Sequence, residues 1–205
     1  MITLYLARHC ETVWNAEKRM QGWNDSAPNT CGLSQSAALA DRLSSIRIDH
    51  IISSPTGRAY FTAETTALPH NLPVIKDDRL REINLGRWEG MLESQIRTED
   101  PDCYYNFWKN PADYLADGGE NFSDVSARMQ SFLDSIKKGP EGETILALSH
   151  TVAIRTLCIF LTGRPVSELW FNPVIAPTAL TEIRIEDGHA QLVSFADSSH
   201  LLSHR

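Results

Sequence analysis

The sequence predicts an α/β fold: a three-layer sandwich in which a mainly parallel sheet is flanked by helices. Short runs of β-branched and aliphatic residues alternate along the 205-residue chain with segments of helical periodicity. The apolar runs are continuous, which is typical of strands buried on both faces of a parallel sheet. Strands and helices in alternation favour right-handed crossovers within one sheet. We therefore expect one domain that spans residues 1–205.

The predicted strands are apolar runs that stop at polar residues. The runs ITLYLA, HIISSP and TILALSH cover residues 2–7, 50–55 and 144–150, and PVIKD (73–77) is a weaker candidate. Residues 179–197 alternate between apolar and polar around an Asp-Gly pair, which predicts a β-hairpin at the edge of the sheet. An exposed edge hairpin permits a homodimer without requiring one.

Segments whose apolar residues recur at helical spacing lie between the predicted strands. The predicted helices cover residues 33–45, 56–67, 123–138 and 151–162. Asn29 or Thr30 is placed to cap the first helix, and Ser123 is the predicted N-cap of the third. The last helix is apolar on nearly every side, as expected of a central crossover helix.

Residues 86–120 interrupt the alternation of strand and helix. This stretch is rich in aromatic, acidic, proline and glycine residues. We expect a mostly helical insertion over one end of the sheet, where it acts as a lid that sets substrate specificity.

Composition and charge exclude several classes of function. The formal net charge is −7, whereas a non-specific nucleic-acid binder needs an excess of basic residues. No apolar stretch approaches the roughly 20 residues that span a bilayer, and the N-terminus lacks the pattern of a signal peptide. The cysteines are scattered, without the paired spacing of zinc sites or disulfide frameworks. We expect a cytoplasmic protein with neither nucleic acid nor membrane as a partner.

Three of the predicted strands lead into chemically useful side chains. The first ends at Arg8 and His9, the second leads to Arg58 in the first turn of a helix, and the third ends at His150. In an open parallel sheet, ligands bind beyond the carboxyl ends of the strands, so these side chains should meet. Guanidinium groups and helix N-termini both bind phosphate oxygens. The pattern therefore predicts a site for a phosphate group.

His9 and Cys10 are adjacent, and either is able to act as a nucleophile. The cysteine-phosphatase loop needs an arginine six residues after the cysteine, and the chain has Ala16 there. An imidazole attacks phosphorus when it is neutral, and neighbouring arginines favour that form. His9 is therefore the predicted nucleophile.

A leaving alkoxide needs a proton, which a carboxylic acid can supply. Glu82 is the predicted donor, with Glu89 as second choice. No metal-binding or P-loop motif is present, and we expect neither a metal nor a cofactor.

These motifs resemble the histidine phosphatase superfamily, which includes the cofactor-dependent phosphoglycerate mutases. RHCETVWN (8–15) and LSHTVAIR (148–155) carry the similarity, and QG, SSPTGRAYFTAE, REINLGRWEG and GGEN lie between them in the family's order. The resemblance implies a phosphoglycerate mutase-like fold and a phosphohistidine on His9, with Glu82 as proton donor and later as base. The implied phosphate and substrate contacts are Arg8, Arg58, His150, the backbone of Thr151, the Asn15 amide, and Gln21 with Gly22 at the entrance.

The chain departs from the family pattern at three places. Cys10 and Thr151 stand where the family has glycine, and SAPNTCG (26–32) replaces the usual SPLTELG. None of these changes removes a catalytic group. A thiol beside a bound phosphate suggests sensitivity to oxidation, while the alternative is a small side chain tolerated by packing.

The short chain and the segment REINLGRWEG favour a phosphatase of small phosphorylated metabolites. A mutase-type phosphotransferase and a non-catalytic phosphate-binding relative are the alternatives. The aromatic residues Tyr104 and Trp108, with Trp23 facing them, are predicted to contact the rest of the substrate; the alternative is that they attach the insertion to the sheet. A ribazole phosphate, phosphoserine, a sugar phosphate and a broad set of monoesters all fit this pattern.

Overall fold

The computed structural model describes residues 1–171 and 173–201, and it confirms the α/β class. The strands are β1 (Ile2–Arg8), β2 (His50–Ser53), β3 (Val74–Lys76), β4 (Thr144–Ser149), β5 (Leu180–Glu186) and β6 (His189–Asp197). They form one sheet in the order β3-β2-β4-β1-β5-β6. The four strands β1, β2, β3 and β4 run parallel to one another. β5 pairs antiparallel with β1, and β6 pairs antiparallel with β5 at the edge of the sheet.

Helices cover both faces of this sheet. They are α1 (Val13–Ala16), α2 (Thr30–Leu43), α3 (Gly57–Ala67), α4 (Glu93–Glu99), α5 (Pro101–Lys109), α6 (Phe122–Ile136) and α7 (Thr151–Thr162). Successive residues of β4 point to opposite faces: Ile145 and Ala147 pack in the core beneath α6 and α7. Leu146 and Leu148 pack in the second core, beneath α2 and α3. This alternation produces the predicted three layers.

Helices α2 and α6 begin earlier than predicted. α2 begins three residues early because Asn29 caps it, accepting the N–H of Gly32 at 2.8 Å. Ser123 was expected to cap α6, but it lies inside the first turn. The N-cap is Asn121, whose N–H is held by the Asp124 carboxylate at 2.8 Å. The earlier start of α2 follows from the asparagine side chain that caps it. At α6 the Asn121 side chain instead accepts the N–H of Ala116 at 2.9 Å.

The edge hairpin forms as the Asp-Gly pair predicts. Asp187 and Gly188 have φ angles of 51° and 76°, and positive φ at both central residues is the requirement of the two-residue turn that suits twisted strands. β5 and β6 then extend the sheet beyond β1. No helix within the described ranges is long and apolar enough to cross a membrane.

Residues 86–120 are mostly helical, containing α4, α5 and two short 3-10 turns. Phe107 is 1% exposed and lies at the centre of an aromatic cluster. Its ring contacts those of Trp88, Trp108, Tyr114, Phe122 and Trp170. Phe107 therefore attaches the insertion to the rest of the fold, which was the alternative interpretation of the aromatic residues.

Candidate active site

Three chain segments bring arginine and histidine side chains to one end of the sheet. β1 ends at Arg8, with His9 next, and β4 ends immediately before His150. Parallel pairing sets Arg8 opposite Ser149, and the N–H of His9 donates to the Ser149 carbonyl at 3.0 Å. Arg58 lies in the first turn of α3, shortly after β2. The carboxyl ends of three strands thus converge as expected.

The imidazole of His9 is buried, and its partners determine which nitrogen carries the proton. Nδ1 lies 2.6 Å from the carbonyl oxygen of Cys10, which only accepts, so Nδ1 is the protonated nitrogen. Nε2 lies 3.3 Å from Nε of Arg58, which only donates, so Nε2 holds a lone pair. Burial, then the charges of Arg58 and Arg8, hold the pKa of His9 well below its ordinary value of 6.5.

His150 lies beside His9, with ring centres 5.1 Å apart. Its Nδ1 is 3.3 Å from Nη2 of Arg58, which donates, so Nε2 carries the proton. Nε2 contacts the hydroxyl oxygens of Ser54 at 2.8 Å and Thr56 at 3.2 Å. Burial and then the charge of Arg58 hold the pKa of His150 well below 6.5. Both imidazoles are therefore neutral at neutral pH.

Arg58 links the two histidines to the entrance loop formed by residues 22–25. Its side chain is 1% exposed. Nη1 donates to the Asn24 carbonyl at 2.7 Å and to the Asp25 carboxylate at 3.1 Å, and Nη2 donates to the Gly22 carbonyl at 2.8 Å. Burial lowers the pKa of Arg58, and Asp25 opposes this effect. Asp25 was not identified from the sequence, because nothing in the local pattern pairs it with an arginine 33 residues away.

Arg8 has an unused donor. Nη1 donates to the Ile175 carbonyl at 2.7 Å, but the buried Nε has no hydrogen-bond partner among the described residues. Burial lowers the pKa of Arg8 to about 10, which leaves the group charged at neutral pH. A buried donor without a partner costs about 1–3 kcal/mol.

Glu82 lies at the N-terminus of α7. The N–H of Val152 donates to its two carboxylate oxygens at 3.1 and 3.3 Å, and the N–H of Ile83 donates to Oε1 at 3.0 Å. These N–H groups hold the carboxyl group of Glu82 at the start of α7. The residue lines the same cavity as Arg8 and His9.

Glu89, the second choice for the proton donor, has a different position. Its carboxylate accepts the N–H groups of Trp23 at 2.8 Å, Asn24 at 3.1 Å and Leu85 at 3.2 Å. It is not among the residues that line the cavity. Glu89 anchors the entrance loop, so of the two predicted proton donors only Glu82 lines the cavity.

A cavity of about 440 Å³ opens beside these groups. The charged and polar residues that line it are Arg8, His9, Asn15, Lys18, Arg19, Gln21, Arg58, Glu82, Glu93, Thr151 and Arg155. The apolar residues that line it are Met20, Ile83, Leu85, Phe107, Val152, Trp108, Trp170 and Val174, and Gly22 also contributes. The cavity is therefore lined by both charged and apolar residues. No group of three or more His, Cys, Asp or Glu in the described part of the chain is arranged to hold a metal ion.

The polar residues predicted at the entrance are held by Thr12. The side-chain oxygen of Asn15 accepts from the N–H of Thr12 at 3.1 Å and from its hydroxyl at 3.0 Å. The same hydroxyl lies 3.2 Å from Oε1 of Gln21. Because the oxygen of Asn15 is occupied, only its amide hydrogens remain for an anion in the cavity.

Two predicted substrate contacts, Trp23 and Tyr104, are not among the residues that line the cavity. Nε1 of Trp23 donates to the Glu82 carbonyl at 2.8 Å, and its ring faces the guanidinium of Arg81 at 5.0 Å instead of the aromatic insertion. Tyr104 donates its hydroxyl proton to Glu93 at 2.5 Å. Both rings are used to hold neighbouring segments, whereas Trp108 does line the cavity.

The chain belongs to the histidine phosphatase superfamily (branch 1), whose family model matches residues 4–198. Among curated relatives, phosphoserine phosphatase 1 of Hydrogenobacter thermophilus is 36% identical over 170 residues, covering 83% of this chain and 81% of the relative. The solved structure of YhfR from Bacillus stearothermophilus has a TM-score of 0.95 and 39% identity, covering 98% of this chain and 100% of that one. The mycobacterial glucosyl-3-phosphoglycerate phosphatase Rv2419c, in complex with VO3, has a TM-score of 0.86 and 28% identity, covering 96% and 99%.

Proposed function

We propose that this protein is a phosphatase that hydrolyses small phosphate monoesters through a phosphohistidine on Nε2 of His9. The observation that carries the proposal is the state of this ring. Its Nδ1–H is fixed by the Cys10 carbonyl, and its Nε2 lone pair lies among cationic groups. A neutral nucleophile beside fixed positive charge suits attack on an anionic ester.

The phosphate group would bind between the arginines and the histidines. The guanidinium of Arg8 lines the cavity, and the guanidinium of Arg58 lies against Nε2 of His9. The N–H of Thr151 belongs to the unsatisfied donors at the start of α7. These positive groups would also stabilise the charge that spreads over the oxygens during phosphoryl transfer.

In the first half-reaction, Nε2 of His9 forms a bond to phosphorus while the bond from phosphorus to the ester oxygen breaks. Glu82, protonated at this stage, gives its proton to the departing oxygen, and the alcohol leaves. In the second half-reaction, Glu82 removes a proton from water, and the resulting oxygen bonds to phosphorus as the P–N bond breaks. Inorganic phosphate leaves, and both residues return to their starting states.

The alcohol part of the substrate would occupy the apolar portion of the 440 Å³ cavity. Trp108 and Trp170 offer aromatic surface there, against which a carbon skeleton can pack. Phosphoserine, a ribazole phosphate and sugar phosphates are the compounds to compare.

The first test measures hydrolysis of p-nitrophenyl phosphate and a panel of phosphorylated metabolites, with and without a chelator. We expect activity that survives the chelator and that disappears in His9→Ala. His50→Ala is the matched control, because His50 is an exposed histidine at the opposite end of β2. Turnover that persists in His9→Ala, or that the chelator abolishes, contradicts the proposal.

The second test traps the intermediate with a labelled phosphoryl group. Label on His9 supports the mechanism, and label on the neighbouring Cys10 overturns it. Adding an acceptor such as phosphoglycerate separates a phosphatase from a mutase-type phosphotransferase, because the latter transfers label to the acceptor in preference to water. Absence of turnover on the whole panel favours the non-catalytic phosphate-binding relative.

A further inference from the structure

The backbone that carries Glu82 is held by one guanidinium from α6. Nη1 of Arg128 donates to the carbonyls of Arg79 at 2.8 Å and Arg81 at 2.6 Å, and Nη2 donates to the carbonyl of Glu82 at 2.9 Å. The Arg128 side chain is 15% exposed, so these are well-shielded bonds from a charged donor. Three acceptors within four consecutive residues thus share one cation.

Glu120 fixes the orientation of this guanidinium. Nε of Arg128 donates to Oε1 of Glu120 at 2.9 Å, and Nη2 donates to Oε2 at 3.0 Å, a two-pronged pairing. Oε2 also accepts the N–H of Asn84 at 2.9 Å, and the N–H of Glu120 donates to the Asn84 carbonyl at 2.8 Å. Glu120 therefore fixes the main chain just after Glu82. It also fixes Arg128, which binds the main chain of the residues that precede Glu82.

The glycine before Glu120 makes this approach sterically feasible. A Cβ on Gly119 would lie 2.3 Å from the carbonyl oxygen of Asn84 and 2.9 Å from the nitrogen of Gly86, both backbone atoms. Any other residue would push the two segments apart. The Gly-Gly-Glu of residues 118–120 is thereby explained as a device that places a carboxylate against the Glu82 segment.

Glu82 needs such external ties because residues 81–85 belong to neither a helix nor a strand. Its carbonyl accepts a second hydrogen bond, from Nε1 of Trp23 at 2.8 Å. Its carboxylate is aligned by the N–H of Val152. A proton donor must be held within about 0.5 Å of its working position to be effective. Irregular backbone supplies that precision only where other elements fix it.

We propose that Arg128, braced by Glu120, is a positioning residue that sets the place of Glu82 for proton transfer. Arg128 does not line the cavity, so it acts through the main chain of Glu82 and not on the substrate. This inference rests on the proposed function, because it requires Glu82 to be the proton donor. Loss of Arg128 should therefore affect the step in which the leaving oxygen is protonated.

The experiment compares two substrates that differ in their need for a proton donor. p-Nitrophenol leaves readily without protonation, whereas the alcohol of an alkyl phosphate such as glycerol phosphate does not. The quantity to compare is kcat/KM, which reports formation of the phosphohistidine and not the attack of water that both substrates share. We expect Arg128→Met to lower kcat/KM for the alkyl ester about 10 to 100-fold, a fraction of the 10²–10⁴-fold that a general acid supplies. For the nitrophenyl ester we expect a change below about 3-fold. Glu82→Gln should show the same selectivity to a larger degree.

Three further variants complete the design. Arg128→Lys keeps the charge and should recover part of the alkyl-ester activity. Glu120→Gln leaves Arg128 in place without its ionic partner and should lose about 3 to 10-fold on the alkyl ester alone; these two variants carry the test if Arg128→Met does not fold. Arg47→Met is the matched control, since Arg47 is 84% exposed and pairs only with Asp49 at the surface, and it should leave both substrates unchanged.

The outcomes separate this inference from the proposed function. One outcome overturns the positioning role and leaves the phosphatase proposal standing. In that outcome Arg128→Met lowers the hydrolysis of both esters by one common factor, or of neither ester, while Glu82→Gln remains selective for the alkyl ester. If the wild type hydrolyses neither ester, or Glu82→Gln affects both esters alike, the proposed function fails. The inference about Arg128 then fails as well. Selective loss in Arg128→Met with partial recovery in Arg128→Lys supports the proposal.

Discussion

Acid should destabilise the folded protein through its two neutral histidines. His9 and His150 are buried beside Arg58, and both have pKa values well below 6.5 in the folded chain. In the unfolded chain they return to a pKa near 6.5. The unfolded state therefore binds more protons at acid pH, so the free energy of unfolding falls as the pH drops below about 6.5. Above that pH the two histidines add no pH dependence to the free energy of unfolding.

The size of the loss follows from the same shifts. Each histidine that stays neutral when folded costs about 1.4 kcal/mol per pH unit once the pH is below its unfolded pKa. Between pH 7.5 and pH 5.0 this amounts to about 2 kcal/mol for one histidine and about 4 kcal/mol for both. A domain is commonly stable by only about 5–15 kcal/mol, so the effect is a large fraction of the total.

Urea unfolding at pH 7.5, 6.5 and 5.0 measures this loss in the wild type, in His150→Asn and in His9→Ala. The buffers must lack phosphate, because an anion that binds only the folded state raises its stability. Each single variant should lose about 2 kcal/mol less than the wild type over the same pH range, while titration of the carboxylates elsewhere affects all three proteins alike. Equal losses in the wild type and both variants would show that these imidazoles titrate normally, and the assignment of a neutral nucleophile would be refuted.

Two further predictions concern packing. Cys10 is fully buried, and a buried thiol is inert, so peroxide should inactivate wild type and Cys10→Gly at the same rate; faster loss in the wild type would restore the hypothesis of a redox-sensitive thiol. Phe107→Ala should cost about 3–5 kcal/mol in urea unfolding because it removes a buried ring at the centre of the aromatic cluster. Tyr105→Ala, at a ring that is 59% exposed, should change stability by less than about 0.5 kcal/mol; equal effects would contradict the packing role.

Most of the site could be predicted because a parallel sheet places its ligand-binding residues in a regular way. Arg8, His9 and His150 follow directly from strands, and their contact required only that β1 and β4 be neighbours. Arg58 followed from the first turn of the next helix. The partners of these residues were not predictable, since Asp25 reaches Arg58 from an irregular loop and Arg128 reaches Glu82 from α6.

The hydrogen bonds of two predicted substrate contacts show the same limit. Trp23 and Tyr104 have the amphipathic rings expected of substrate contacts, but their polar atoms are used by the Glu82 carbonyl and by Glu93. Which partner an aromatic N–H or O–H finds depends on segments distant in the chain. Composition near a predicted site does not reveal it.

Local sequence by itself determined the order of strands and helices, the Asp-Gly hairpin turn, and the identity of the arginines and histidines that meet at one end of the sheet. These features depend on short-range periodicity and backbone preference, both of which can be recognised in the linear sequence. Tertiary structure alone decided which nitrogen of His9 carries the proton, which glutamate lies against α7, and how that glutamate is held. Those outcomes depend on desolvation and on hydrogen bonds between segments far apart along the chain, and such energies arise only once the chain is packed.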